Sequence, residues 1–142
     1  VISKDYLNDL ETKAKKMGAT TFQQSGRTFQ ATAVAIPAYS VVSYDSSGTI
    51  SVSGDNATEQ AIGVTTEDIA ASGYGNVQLF NAGGTAQILC GGNTIAVADT
   101  VYLDGSGKIG TDNTNTKVGL AMAASSADGD VIEVYPHQTF LA

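Results

Sequence analysis

The chain writes one short phrase twice. DSSGTI at Asp45–Ile50 and DGSGKI at Asp104–Ile109 share Asp, Ser, Gly and Ile at matching positions, 59 residues apart. The same offset places Ile36 on Ile95 and Val42 on Val101. After three fewer residues in the second copy, Ile62-Gly63-Val64 falls on Val118-Gly119-Leu120. Ten residues past each of those glycines stand Gly73 and Gly129, and the closing strand Val77-Gln78-Leu79 is set against Val131-Ile132-Glu133. The chain therefore builds one unit twice, over about 36–80 and 95–135. A fold made of two copies of one short, turn-rich unit excludes most architectures at the outset.

The repeated phrase has the residue types of a ligand loop, and its spacing rejects that reading. An EF-hand-type calcium loop needs oxygen ligands at positions 1, 3 and 5, glycine at 6 and a closing glutamate at 12. Counted from Asp104, those last three positions hold Lys108, Ile109 and Asn115; counted from Asp45, they hold Thr49, Ile50 and Asn56. Neither glycine leads into the GKS or GKT helix start of a phosphate loop. What fits is a β-hairpin turn, opened by the aspartate's side-chain hydrogen bond and completed by glycine at positive φ.

Around these turns, runs of Val, Ile, Thr and Tyr alternate with Gly, Asn, Asp and Ser at close intervals. Strands are predicted at 31–36, 41–44, 49–52, 61–65, 76–80, 85–90, 100–103, 108–110, 118–123 and 130–135. So many short strands fit a mainly β fold, a small barrel or sandwich that hides its edges.

Residues 1–30 read differently from the body at 31–142. From Ser3 the sequence SKDYLNDLETKAKKMG has a capping serine, early acids, late lysines and Gly18 at the stop, which predicts an amphipathic helix. Tyr6, Leu7, Leu10, Ala14 and Met17 form its apolar stripe. A polar stretch with Phe22 and Phe29 near its ends follows as an extended arm. A helix this short is marginal alone in water, so the stripe calls for something to pack on. The expected partner-binding residues are Tyr6, Leu10, Lys13, Met17, Phe22 and Phe29, with Lys15 and Lys16 also facing an acidic surface.

Charge separates the same two parts. Residues 1–30 carry five basic against three acidic groups, and the rest carries two against eleven. A body this acidic repels nucleic-acid phosphates, so no direct nucleic-acid partner is expected. The chain lacks an apolar run of the roughly 18 residues a membrane helix needs, nor does it open on a signal peptide; a soluble protein without an export address is expected. Catalytic constellations are missing as well. The lone Cys90 lies in the apolar run QILC and reads as a small buried side chain. His137, the sole histidine, follows Pro136 near the end; Glu67-Asp68 reads as a solvated turn, and Asn56-Ala57-Thr58 carries a glycosylation pattern without an export signal. The expectation is no enzyme, no metal and no cofactor.

The phrases IPAYSVVSYDSSGTI, QAIGVTTEDIAASGYGNVQLF, ADTVYLDGSGKI and KVGLAMAASSADGDVIEVYPH resemble the capsid cement, or decoration, proteins of tailed bacteriophages. The resemblance runs from about Ala31 to His137. It departs from the family pattern at Ala98-Asp99-Thr100, where glycine and proline are expected, and in the length of the amino-terminal helix. It implies a β-barrel or β-tulip body, made in the host cytoplasm, on the outer surface of the virion's capsid. It further implies a homotrimer over junctions between subunits of the major capsid protein. The competing class is a head-fibre, tail or surface adhesin module binding glycan or host protein, for which Tyr74-Gly75-Asn76 with Tyr39 and Tyr44 would supply contacts.

Overall fold

The computed structural model describes residues 26–54 and 61–136. Strands β1 (Gly26–Ala31), β2 (Val41–Tyr44), β3 (Thr49–Val52), β4 (Ala61–Thr65) and β5 (Tyr74–Leu79) close into a barrel in the order β1-β3-β2-β4-β5. A 3-10 turn at Phe80–Ala82 leads to β6 (Ala86–Leu89), β7 (Thr100–Leu103), β8 (Ile109–Gly110), β9 (Lys117–Ala121) and β10 (Val131–Pro136). These form a half-barrel sheet, the second barrel, in the order β6-β10-β9-β7-β8, which is the first barrel's ring read the other way round from β1 with each strand replaced by its copy.

The correspondence extends to register. β2 pairs with β4 through Val42↔Gly63 and β7 with β9 through Val101↔Gly119, and each pair carries an irregularity just after that position. Both glycines are required, because a Cβ at Gly63 would collide with the Gln78 carbonyl and one at Gly119 with the Tyr135 carbonyl. The parallel pair Ala31↔Ile50 that closes the first barrel returns 59 residues later as the bridge Cys90↔Ile109. The repeat thus reaches back to β1 and β6, ahead of the Ile36 and Ile95 from which the sequence traced it.

Two sequence expectations need correction. The closing strands align as Leu79 with Pro136 and Val77 with Val134, because Gly63↔Leu79 matches Gly119↔Pro136. Val131 does not answer Val77: Val77 and Val134 are buried inside their barrels, whereas Val131 faces outward. The first strand also starts earlier than predicted. β1 begins at Gly26, inside the stretch assigned to the arm, so the barrel body includes residues placed before the boundary at 30. β1 ends at Ala31, where a strand was predicted to begin, and Ile36 makes only an isolated bridge to Ile69. The predicted helix from Ser3 to Gly18 lies outside the described residues.

Each barrel is filled by matching side chains. Phe29, Ala31, Ile36, Val42, Ile50, Ile69 and Val77 fill the first; Ile88, Cys90, Ile95, Val101, Ile109, Ser125 and Val134 occupy the corresponding positions of the second and are all buried. The second core is continuous with Val41, Ala61, Val64 and Phe80 of the first half. The two barrels are therefore welded by shared apolar packing, each buried valine at the joint contributing about 2 kcal/mol.

Candidate functional site

The repeated turns take different jobs. In the first, Asp45 Oδ1 accepts the Ser47 and Thr49 amides at 2.9 and 3.1 Å, and Oδ2 accepts the Thr49 hydroxyl at 2.8 Å. The Thr49 hydroxyl, followed by the amide bonds, holds the Asp45 carboxyl below its ordinary pKa. Among the described residues the carboxylate bonds only within its own turn. In the second, the Asp104 carboxylate reaches the Ser106 amide only at 3.4 Å, and Lys108 pairs with Asp128 at 2.9 Å. Among the described residues no cluster of three or more His, Cys, Asp or Glu side chains is placed to hold a metal ion.

The second turn is instead part of the joint between barrels. Gly107 donates its amide to the Ser53 carbonyl at 3.0 Å and accepts the Val41 amide at 2.7 Å, while Leu89 donates to the Tyr39 carbonyl at 2.8 Å. Residues 39–41 are thereby held between β6 and the β7–β8 turn. This explains why the second barrel closes only at Cys90↔Ile109, whereas β1 and β3 also pair at Gln30↔Thr49. On the same seam Gln78 Nε2 donates to the Thr85 carbonyl at 2.9 Å, and Thr85 Oγ1 bonds Glu133 at 2.6 Å. A polar cavity of about 370 Å³ opens there, lined by Tyr39, Thr66, Gln78, Gln87 and Glu133 among others.

The surface best suited to a partner lies on the second barrel. Register pairing sets Thr100, Leu120 and Tyr135 in a row across β7, β9 and β10. Leu120 is 40% exposed and Tyr135 52%, with Met122 beside them at 46%. Leu120, Met122 and Tyr135 make this face apolar, with the exposed Glu133 beside Met122, a composition suited to docking. The sequence reading did not single it out. The signal was in the repeat, since IGVTT of the first copy becomes VGLAM in the second.

The residues expected to bind a partner fall elsewhere. Tyr6, Leu10, Lys13, Met17 and Phe22 lie outside the described residues. Phe29 is not a free anchor. It is 7% exposed within the first barrel, edge-on to Tyr44 at 5.5 Å, with the Arg27 guanidinium 4.8 Å from its ring centre. Its aromatic surface is used inside its own domain, and its counterpart Ile88 is likewise buried. The tyrosines considered for an adhesin site have separate surroundings: Tyr44 packs on Phe29, Tyr39 lines the seam, and Tyr74 stands exposed on β5. Cys90 is buried at the position Ala31 fills in the first barrel, and burial raises its thiol pKa. That is the setting of a packing residue and not of a thiolate nucleophile.

Comparison with known proteins gives this geometry a context. The family model for phage cement protein matches residues 22–136. Among solved structures, the N base of head fiber gp8.5 in bacteriophage phi29 is similar, with a TM-score of 0.62 and 20% identity. That match covers 79% of this chain and 94% of the other, and at such identity the likeness is one of fold. No curated protein sequence matches the chain.

Proposed function

The chain belongs to the phage cement protein family, and from that premise we propose that it binds the major capsid protein at subunit junctions and stabilises the shell. Membership makes it a structural protein of the phage head, placed on the outer surface of the virion. The family match over residues 22–136 is the observation that carries the reading, because it spans both barrels. The structure supports it through a body of interlocked barrels, whose continuous core suits a cement that must outlast the shell's internal pressure.

In this proposal the protein acts as a homotrimer. One protomer's contact with the shell can be weak, since three linked contacts gain roughly 10²-fold or more through effective concentration. Residues 1–25 serve as the arm, with Tyr6, Leu10, Met17 and Phe22 anchoring on the shell or a neighbouring protomer and Lys13, Lys15 and Lys16 facing acidic surface. The test is co-sedimentation with heads lacking this protein. Saturation at a fixed ratio to the major capsid protein is expected, together with loss of binding when residues 1–25 are removed. Absence of saturable binding by the full chain overturns the proposal.

The fold shared with a head-fibre base favours one second reading. As a base, the same body would hold a fibre or recognition element on the head, with exposed Tyr74 available for glycan contact. Glycan-array binding together with failure to stabilise heads selects this reading; stabilised heads and a silent array select cement.

A further inference from the structure

We propose that the Thr100–Leu120–Tyr135 face of the second barrel receives the first barrel of another copy of this chain, in a head-to-tail contact. The first barrel carries the same row. There Val41, Val64 and Gln78 lie side by side across β2, β4 and β5, as Thr100, Leu120 and Tyr135 do across β7, β9 and β10. The first row is covered by the second barrel: Val64 is 1% exposed, the Val41 amide bonds Gly107, and Gln78 bonds Thr85. The second row is open.

Its composition is opposite to what an open face calls for. From first to second copy, buried Val64 becomes exposed Leu120, half-buried Gln78 becomes exposed Tyr135, and Thr66, itself exposed, becomes Met122, so beside Glu133 three outward positions carry larger apolar side chains where no part of this chain covers them among the described residues. Contiguous exposed apolar surface of this kind marks an interaction site. A second copy is the occupant because the chain also carries the complementary side, uncovered among the described residues. The second barrel covers the first with Thr85, Gln87 and the Gly107 turn; their counterparts on the first barrel are Gly26, Thr28 and the Gly48 turn, and Thr28 and Gly48 are exposed. Both halves of an interface already used once within the chain thus remain available at opposite ends of it.

The contact is heterologous, so it closes into a ring or continues as a filament. It keeps the side-chain part of the internal joint and omits the strand insertion, since the Gln30↔Thr49 pairing fills the slot that residues 39–41 enter in the second barrel. Only the count of three rests on the trimer proposed above; the contact stands on the repeat. Gln78 and Gln87 face one cavity across the internal seam, so their counterparts Tyr135 and Thr28 are placed near each other across copies.

The full chain is tested with Tyr135→Cys and Thr28→Cys, joined by a short bis-maleimide. A cross-linked dimer is expected from the mixture and from neither variant alone, while the buried native Cys90 stays unreactive. Leu120→Glu should weaken self-association at least tenfold by solution mass with its thermal transition unchanged, as a surface substitution allows. A wild-type chain that stays single at high micromolar concentration overturns the proposal, and so does cross-linking by one variant alone, which would mean a two-fold contact. Head binding, measured separately, distinguishes the two readings. A single chain that saturates heads refutes the contact alone, and an associating chain that ignores heads refutes the cement function alone.

Discussion

The first barrel is closed and covered, and the second is bridged and open. They share strand order, the irregularity after Val42 and Val101, and an interior set matched position by position. They differ in what surrounds the barrel. The first is sealed by Gln30↔Thr49 and lends residues 39–41 to its neighbour, while the second accepts that insertion and leaves its own outer row uncovered. Duplication preserved the residues that fill a barrel and released those that face outward.

The comparison can be broken most forcefully at the paired glycines. Gly63→Ala and Gly119→Ala each force a methyl group against a backbone carbonyl of the adjoining strand, so each should cost about 3 kcal/mol in denaturant unfolding. Near-equal losses would show that the barrels are mechanically equivalent; a loss confined to one would show that the repeat does not carry the same load twice.

The turns should separate the copies. Gly48 and Gly107 both have positive φ, and alanine there costs roughly 1–2 kcal/mol. Gly107 is also buried in the joint, where a Cβ meets the Val41 carbonyl oxygen at 3.0 Å and Val52 Cβ at 3.1 Å, while at Gly48 the nearest neighbour is the Tyr44 hydroxyl at 3.7 Å. Gly107→Ala should therefore exceed Gly48→Ala by about 1 kcal/mol in the same measurement. The outer rows give a smaller contrast. Val64→Ala should lose about 2 kcal/mol, whereas Leu120→Ala in the dissociated chain should stay within about 0.5 kcal/mol.

The smallest effect expected is acid-dependent. The Asp45 carboxyl, lowered by its Thr49 bonds, binds its proton less readily in the folded chain than in the unfolded one. It adds stability above the ordinary aspartate pKa of about 3.9, and that contribution disappears as pH falls through the lower folded value. Asp45→Asn should melt slightly below wild type at neutral pH, with the gap closing under pH 4. A gap that persists there would mean that the turn depends on shape and not on charge.

Much of this fold was legible because turns carry their own chemistry. The aspartate-to-glycine hexads, the Val42/Val101 offset and the glycines at 63 and 119 located the duplication. The closing strand was misplaced by three residues because the alignment there rested on one shared valine, and only strand register and burial separate Val131 from Val134. Phe29 was assigned to the arm because GRTFQA is polar on both sides of it; extending the offset back to Ile88 would have placed it inside a barrel. The open face was hidden for a different reason. Leu120, Met122 and Tyr135 are ordinary strand residues, and the row becomes informative only once the fold shows that Val64, the counterpart of Leu120, is covered.

Hydroxyl-radical footprinting tests most directly whether the second barrel's outer face carries the contact between copies. Met122 and Tyr135 react readily when exposed, and Tyr74 on the first barrel serves as an exposed reference. Comparing dissociated chains with the form assembled on heads, the account predicts strong protection of Met122 and Tyr135. Equal labelling of those two residues in both states would contradict it.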